Sequence, residues 1–339
     1  MDEHERTDQV YSTLEVDEEA NRQDQLLSPV KVKDSNVPRS DLFKNPTPIS
    51  ASFYACSANA AQTPNLTLYF LDSNSSLRQL QTSDPSDPYW TPGSFDNTIK
   101  IPDNSHLATY SCQHPSYLDR SDAWFQGSEG HFDAFDGNGL TRVDNNDVAA
   151  GQSITVHKPP VNASLALVPH YIYDYNRTAK APWVSLFFVD SNVLWQYHYR
   201  ENGKLDFMRH FDGDDQPRLP DNTNIAGFSW GYNEKIANVG GLQVLYTMPD
   251  ADGAGGIGLL QRNNIADEGE WQSVDAVNSS NPFKSVARYS SVAATEAGRV
   301  YAVVEDEGSG KVELREWEWV QEDLAYALRG AVSTDVSRS

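Results

Sequence analysis

The sequence predicts an all-β protein: a β-propeller of five to six blades of antiparallel strands, with a disordered acidic N-terminal tail. Three observations carry this prediction. A unit of apolar run, polar turn and second apolar run recurs five times, with steps of 55, 63, 58 and 58 residues between Phe70, Phe125, Phe188, Tyr246 and Val304. Sustained helical periodicity is missing, because Pro and Gly interrupt nearly every window. The first 47 residues have a different composition from everything after them.

The tail comes first in the chain. Between Asp2 and Asp24 nine acids face only Arg6 and Arg22, and large apolar residues stay scarce until Phe43. Such a segment cannot bury enough surface to offset the entropy of ordering it. Residues 1–47 are therefore expected to form the tail, and 48–335 the propeller.

The repeats begin beyond Ile49. They read "LTLYFLDSNSSLRQL" (66–80), "DAWFQGSEGHFDAF" (122–135), "SLFFVDSNVLWQYHY" (185–199), "LQVLYTMPDADGAGGIGLLQR" (242–262) and "YAVVEDEGSGKVELREWEW" (301–319). Each joins two strands through Ser, Asn, Asp or Gly, which is the pattern of a hairpin. A further short strand precedes each one: "ASFYACSA", "HLATYSC", "SLALVPHYIY", "IAGFSWGY" and "RYSSVAAT". Outer segments with Trp or Gly follow several, as in "DPYWTPGSF" and "GEWQSV". Three or four strands per unit at this period describe a blade, and a ring of blades protects its sheet edges.

Composition narrows the function. A formal net charge of -22 repels phosphate, so no nucleic-acid partner is expected. No apolar run approaches the roughly 18 residues of a spanning helix, so no membrane span is expected. The N-terminus lacks the charged and apolar regions of a signal peptide, whereas Asn65, Asn74, Asn162, Asn176 and Asn278 open sequons that suit an extracellular or cell-surface setting. Cys56 and Cys112 are too few for a disulfide scaffold; they read as one bridge or two buried thiols.

The opening blade, "ASFYACSANAAQTPNLTLYFLDSNSSLRQLQTSDPSDPYWTPGSF", resembles the first blade of the fungal fucose-specific lectins, a family of six-bladed β-propellers. The resemblance extends thinly over most of 49–335. It implies non-catalytic binding of fucosylated glycans or glycoproteins in shallow pockets between blades. In that family an Arg on the second strand and a Glu or Gln on the third hold neighbouring hydroxyls, while an aromatic of the next blade stacks on the sugar. Vicinal hydroxyls suit a fork of donors facing an acceptor, and an aromatic covers the apolar side of the ring.

Carried over by position, the acceptors are Gln79, Gln196, Gln261 and Glu316, and the second blade loses its acceptor at Ala134. The arginine position reads Thr67, Asp122, Ser185 and Gln243 in the first four blades; only Arg299, in "GRVYAVV", keeps the charge. Arg299 with Glu316 is the best match. Trp90, Trp124, Trp195 and Trp271 are the expected stacking platforms. Arg78 adjoins Gln79 on an alternating strand and so is expected on the opposite face.

Other chemistries find less support. Asp-rich turns such as "FDGDDQ" lack the EF-hand spacing, the eight His residues show no ligand pairing, and no P-loop or Gly-x-Ser-x-Gly occurs. No metal, no cofactor and no enzymatic activity are expected, and a homodimer is allowed for. The alternative reading is a degenerate propeller that serves as a protein-interaction platform.

Overall fold

Runs rich in Val, Leu, Phe, Tyr and Trp, bounded by Asp, Asn, Ser and Gly, form antiparallel ladders. The computed structural model describes residues 31–32, 49–54, 65–83, 89–93, 100, 106–110, 131–135, 140–144, 163–173, 179–199, 205–211, 218–221, 223–230, 241–248, 256–263, 271–274, 283, 286–287, 290–295, 298–305, 311–320 and 325–332. These are strands and the connections tight against them, and no helix occurs among the described residues.

Five sheets follow one another along the chain. The first contains β1 (Lys31–Val32), β2 (Ile49–Tyr54), β3 (Asn65–Leu71), β4 (Leu77–Thr82) and β5 (Tyr89–Pro92), in the order β1-β5-β4-β3-β2. The second holds β6 (Leu107–Tyr110), β7 (His131–Phe135) and β8 (Leu140–Asp144). The third runs through β9 (Leu165–Tyr173), β10 (Ala179–Asp190), β11 (Val193–Tyr199) and β12 (Leu205–Phe211). The fourth runs through β13 (Ile225–Trp230), β14 (Gly241–Thr247), β15 (Ile257–Asn263) and β16 (Gln272–Val274). The fifth runs through β17 (Val292–Ala294), β18 (Arg299–Glu305), β19 (Val312–Val320) and β20 (Ala325–Ala331).

One edge strand of each sheet lies beside that of the next: β2 by β6, β6 by β9, β9 by β13 and β13 by β17. Consecutive blades set side by side through their inner strands make a β-propeller. Polar side chains stitch these strands together. Ser50 Oγ and Thr109 Oγ1 lie 2.8 Å apart, Ser164 Oγ accepts from the Ile225 amide at 3.1 Å, and Asn224 Nδ2 donates to the Ser290 carbonyl at 3.2 Å.

One expectation changes at this level, and one short segment of the expected tail is described. Within the expected tail, Lys31 and Val32 form β1 and pair in parallel with Tyr89 and Trp90; the rest of 1–47 lies outside the described residues. In the second sheet, His131–Phe135 is the middle strand, because β7 pairs with β6 on one side and β8 on the other. His131–Phe135 is therefore the second strand of the sheet, and residues 127–130 and 136–139 on either side of it lie outside the described residues. Ala134 is thus no third-strand position.

The repeated "DSN" explains the tight hairpins. After β10, Ser191 and Asn192 both take positive φ (55° and 64°), as the two central residues of a turn matched to strand twist must. After β3, Asp72 Oδ1 accepts from the amides of Asn74 and Ser76 at 2.9 Å each, holding the turn through its own backbone.

The core consists of faces pressed between sheets. Phe187, Val189 and Leu194 of the third sheet meet Leu242, Val244 and Leu260 of the fourth. The other face of the fourth sheet, with Phe228, Trp230 and Leu245, meets Val300, Trp317 and Trp319 of the fifth. At one crossing the approach is close enough to require glycine: a Cβ on Gly227 would lie 2.7 Å from Val168 Cγ2 and 2.8 Å from the Gln243 carbonyl oxygen. A Cβ on Gly256 would meet nothing within 4 Å. Gly227→Ala is therefore expected to lower the unfolding free energy by about 1–3 kcal/mol, seen as a lower urea midpoint at unchanged m-value, while Gly256→Ala leaves the unfolding free energy within about 0.5 kcal/mol.

Candidate functional site

Strand alternation assigns the expected acceptors to a definite face of each sheet. Gln79 stands opposite Tyr69, Gln196 opposite Phe187, Gln261 opposite Gln243 and Glu316 opposite Tyr301. In the third and fourth sheets this is the face that packs on the following blade. Their surroundings then separate them into two kinds.

Gln79 and Gln196 are fully buried and Gln261 nearly so. Gln79 Nε2 donates to the Tyr69 hydroxyl at 2.9 Å, and its side chain fills the space over Gly93. Gln196 Nε2 donates to Ser185 Oγ at 2.9 Å, while Oε1 has no hydrogen-bond partner among the described residues. Gln261 Oε1 accepts from Gln243 Nε2 at 3.4 Å, and Gln243 Oε1 accepts in turn from the Tyr326 hydroxyl of the fifth sheet. The Tyr326 ring is wedged against Phe283 and Trp319, with centroids 4.9 and 5.1 Å away. The interface that would hold a ligand between the fourth and fifth blades is thus filled by the protein's own phenol.

The tryptophans divide in a similar way. Trp271 is buried in the interface between the third and fourth sheets, edge-on to Phe187 at 5.9 Å, so the fold does bring Gln196 and Trp271 to one interface. Trp90 packs with Phe70 and Leu80 inside the first sheet's cluster. Trp195 pairs with Phe188 and so lies on the face opposite Gln196, its indole donating to the Asp190 carbonyl at 3.3 Å. Trp124, Asp122, Cys56 and Cys112 lie outside the described residues. Arg78 sits opposite Phe70, on the face away from Gln79, with Asp72 3.8 Å from its guanidinium. The register also moves one assignment. Gln243 faces Gln261 directly, whereas Arg299 sits two residues before Tyr301, so the fourth-sheet counterpart of Arg299 is Gly241.

The fifth sheet keeps a half-open polar face. One side of it buries Val300, Ala302, Val304 and Trp317, which forces Arg299, Tyr301, Glu316 and Glu318 onto the other. Arg299 Nη1 lies 2.9 Å from Glu316 Oε1, and Nη2 lies 3.4 Å from Glu318 Oε1. Tyr301 Oη donates to Glu316 Oε1 at 3.4 Å. These charged side chains are 18–24 % exposed, against 0 % for Gln196.

Next to Glu316 the outer strand is irregular. Glu316 pairs with Gly330 and Trp317 with Leu328, which leaves Arg329 as the extra residue of a β-bulge. Arg329 turns to Glu318, and beside Gly330 there is open space, with nothing within 4 Å of a built Cβ. Glu318 was readable from the sequence, because "REWEW" places two acids on one face. Arg329, Gly330 and Tyr326 were not, since a bulge and a plug are properties of packing.

The fold defines the class as a β-propeller. No protein-family model matches the chain, and no curated protein sequence matches it. Among solved structures, the fucose-specific lectin from Aleuria aurantia is similar over 87 % of this chain and 98 % of its own, with 14 % identity and a TM-score of 0.42. The catalytic domain of the Coprinopsis cinerea GH62 alpha-L-arabinofuranosidase is similar over 91 % and 97 %, with 13 % identity and a TM-score of 0.43. An alpha-L-arabinofuranosidase from Clostridium thermocellum is similar over 84 % and 94 %, with 10 % identity and a TM-score of 0.38. At these identities the likeness concerns the fold alone. The expectation that the chain is not an enzyme is corrected to this extent: arabinofuranosidases stand among the similar structures beside the lectin.

The Tyr326 plug has a pH signature. Burial raises the Tyr326 phenol well above 10, because the anion loses its hydration. The unfolded chain releases this proton near pH 10, the folded chain only higher, so the stability from this group is full below pH 10 and lost as pH rises toward the folded value. Tyr326→Phe is expected to lose about 1 kcal/mol at neutral pH and to show a shallower fall in stability above pH 10 in urea titrations.

Proposed function

We propose that the protein binds carbohydrate, and fucosylated glycans in particular, on the half-open face of the fifth sheet. Arg299 and Glu316 are the hydroxyl-binding pair. One observation supports this reading above the others: of the acceptors expected from the sequence, Glu316 alone is charged, half-exposed and paired with an arginine among the described residues, with unfilled space beside it at Gly330. Arg299 has five N–H donors in a fork, and Glu316 has lone pairs left over from Arg299 and Tyr301. Two adjacent hydroxyls can accept from the first and donate to the second.

The buried glutamines are structural in this reading, since reaching them would require parting packed sheets. Trp90 and Trp271 hold their clusters together. A single shallow pair gives a monosaccharide affinity of about 1 mM, or roughly 4 kcal/mol.

The test is a glycan array probed with the full chain, followed by titration of the best binder and an assay for release of free sugar. Arg299→Ala is expected to weaken fucosylated-glycan binding about 10- to 100-fold, the worth of charge-assisted hydrogen bonds. Gln196→Ala is expected to leave binding within about twofold while lowering the urea midpoint. A silent array from folded protein, or loss of binding in Gln196→Ala with retention in Arg299→Ala, would remove this site.

A further inference from the structure

The bulge in β20 builds more than one half-open couple. In a regular ladder Arg329 would stand opposite Glu316 and cover it. The extra residue puts Gly330 there instead and displaces Arg329 to Glu318. Two carboxylates on one face of β19 now each carry a guanidinium: Arg299 with Glu316, and Arg329 with Glu318. Arg299 bridges to both acids. Same-face residues two apart on a strand recur about every 7 Å, a step on the scale of one pyranose to the next. Arg329 is 43 % exposed at its side chain, whereas Glu318 Oε2 beside it is buried and makes no hydrogen bond among the described residues, so the second couple opens onto solvent through its guanidinium.

We infer that Glu318 and Arg329 form a second subsite, and that the fifth-sheet face reads a glycan of at least two residues. Arg299 and Glu316 hold the terminal sugar over Gly330, while Arg329 and Glu318 hold hydroxyls of the penultimate one. This rests on the proposed carbohydrate binding and specifies its ligand. Charge sets the chemistry of that ligand. Each guanidinium is already matched by a carboxylate, on a chain of net charge -22, so neutral hydroxylated sugars are favoured and carboxylated ones repelled.

The experiment titrates the full chain with methyl fucoside and with a fucosyl-galactose disaccharide. The parent is expected to bind the disaccharide about tenfold more tightly. Arg329→Ala is expected to reduce that advantage to within about twofold while leaving the methyl fucoside affinity unchanged. Glu318→Gln keeps the side chain's shape and is expected to shift selectivity in the same direction, which guards against a variant that merely folds poorly. Equal affinity of the parent for both ligands, or equal weakening of both by Arg329→Ala, overturns the second subsite alone. Binding of neither ligand by folded parent overturns the carbohydrate reading and the subsite together.

Discussion

One constraint governs the molecule: a sheet covered on both faces must find a partner for nearly every polar atom in those faces. Leaving a buried amide unpaired costs about 1–3 kcal/mol, as much as a good hydrogen bond contributes. The propeller covers both faces of its third and fourth sheets, and the polar residues there turn inward to one another. Gln196 leans on Ser185, and Gln243 links Gln261 to Tyr326. An amide satisfies this condition because it is neutral and carries both donor and acceptor. A guanidinium–carboxylate pair meets it poorly, since desolvation costs several kcal/mol per ion before any attraction is recovered.

That difference explains where charge survives. Arg299, Glu316, Glu318 and Arg329 occur together on a half-exposed face of the fifth sheet, whereas the Arg78–Asp72 pair of the first sheet is buried. Water screens them there, so their mutual attraction adds little to stability. Their arrangement is therefore free to serve a ligand. The sheets that hold the fold together and the sheet that carries the candidate site follow the same pairing rule at different degrees of burial.

Much of this was legible in the sequence, and the limits are physical. Alternation in "RVYAVVE" and "VELREWEWV" separates Val300, Ala302 and Trp317 from Arg299, Tyr301 and Glu316 without coordinates. The "DSN" turns announce the hairpins after β3 and β10. The second sheet was misread because two Gly-containing turns, "GSEG" and "DGNG", fit one short strand equally well. Only pairing on both sides of β7 separates them. The burial of the glutamines, expected as acceptors in shallow pockets, is not legible because period-two alternation names a face but not what covers it. Coverage depends on the neighbouring blade, some 60 residues away, and no local pattern encodes it.

The bulge at Arg329 shows why such a site is hard to read and simple to build. One extra residue in an outer strand changes no apolar contact in the core, where Trp317, Trp319 and Tyr326 keep their places. It does change which side chain stands over Glu316, replacing an arginine by a glycine with open space beside it. Gly330 takes φ +145°, a conformation that side chains rarely adopt, so the glycine that follows the extra residue also clears the space. A functional face can thus be opened at the edge of a blade while the alternation that packs the blade's other face stays intact.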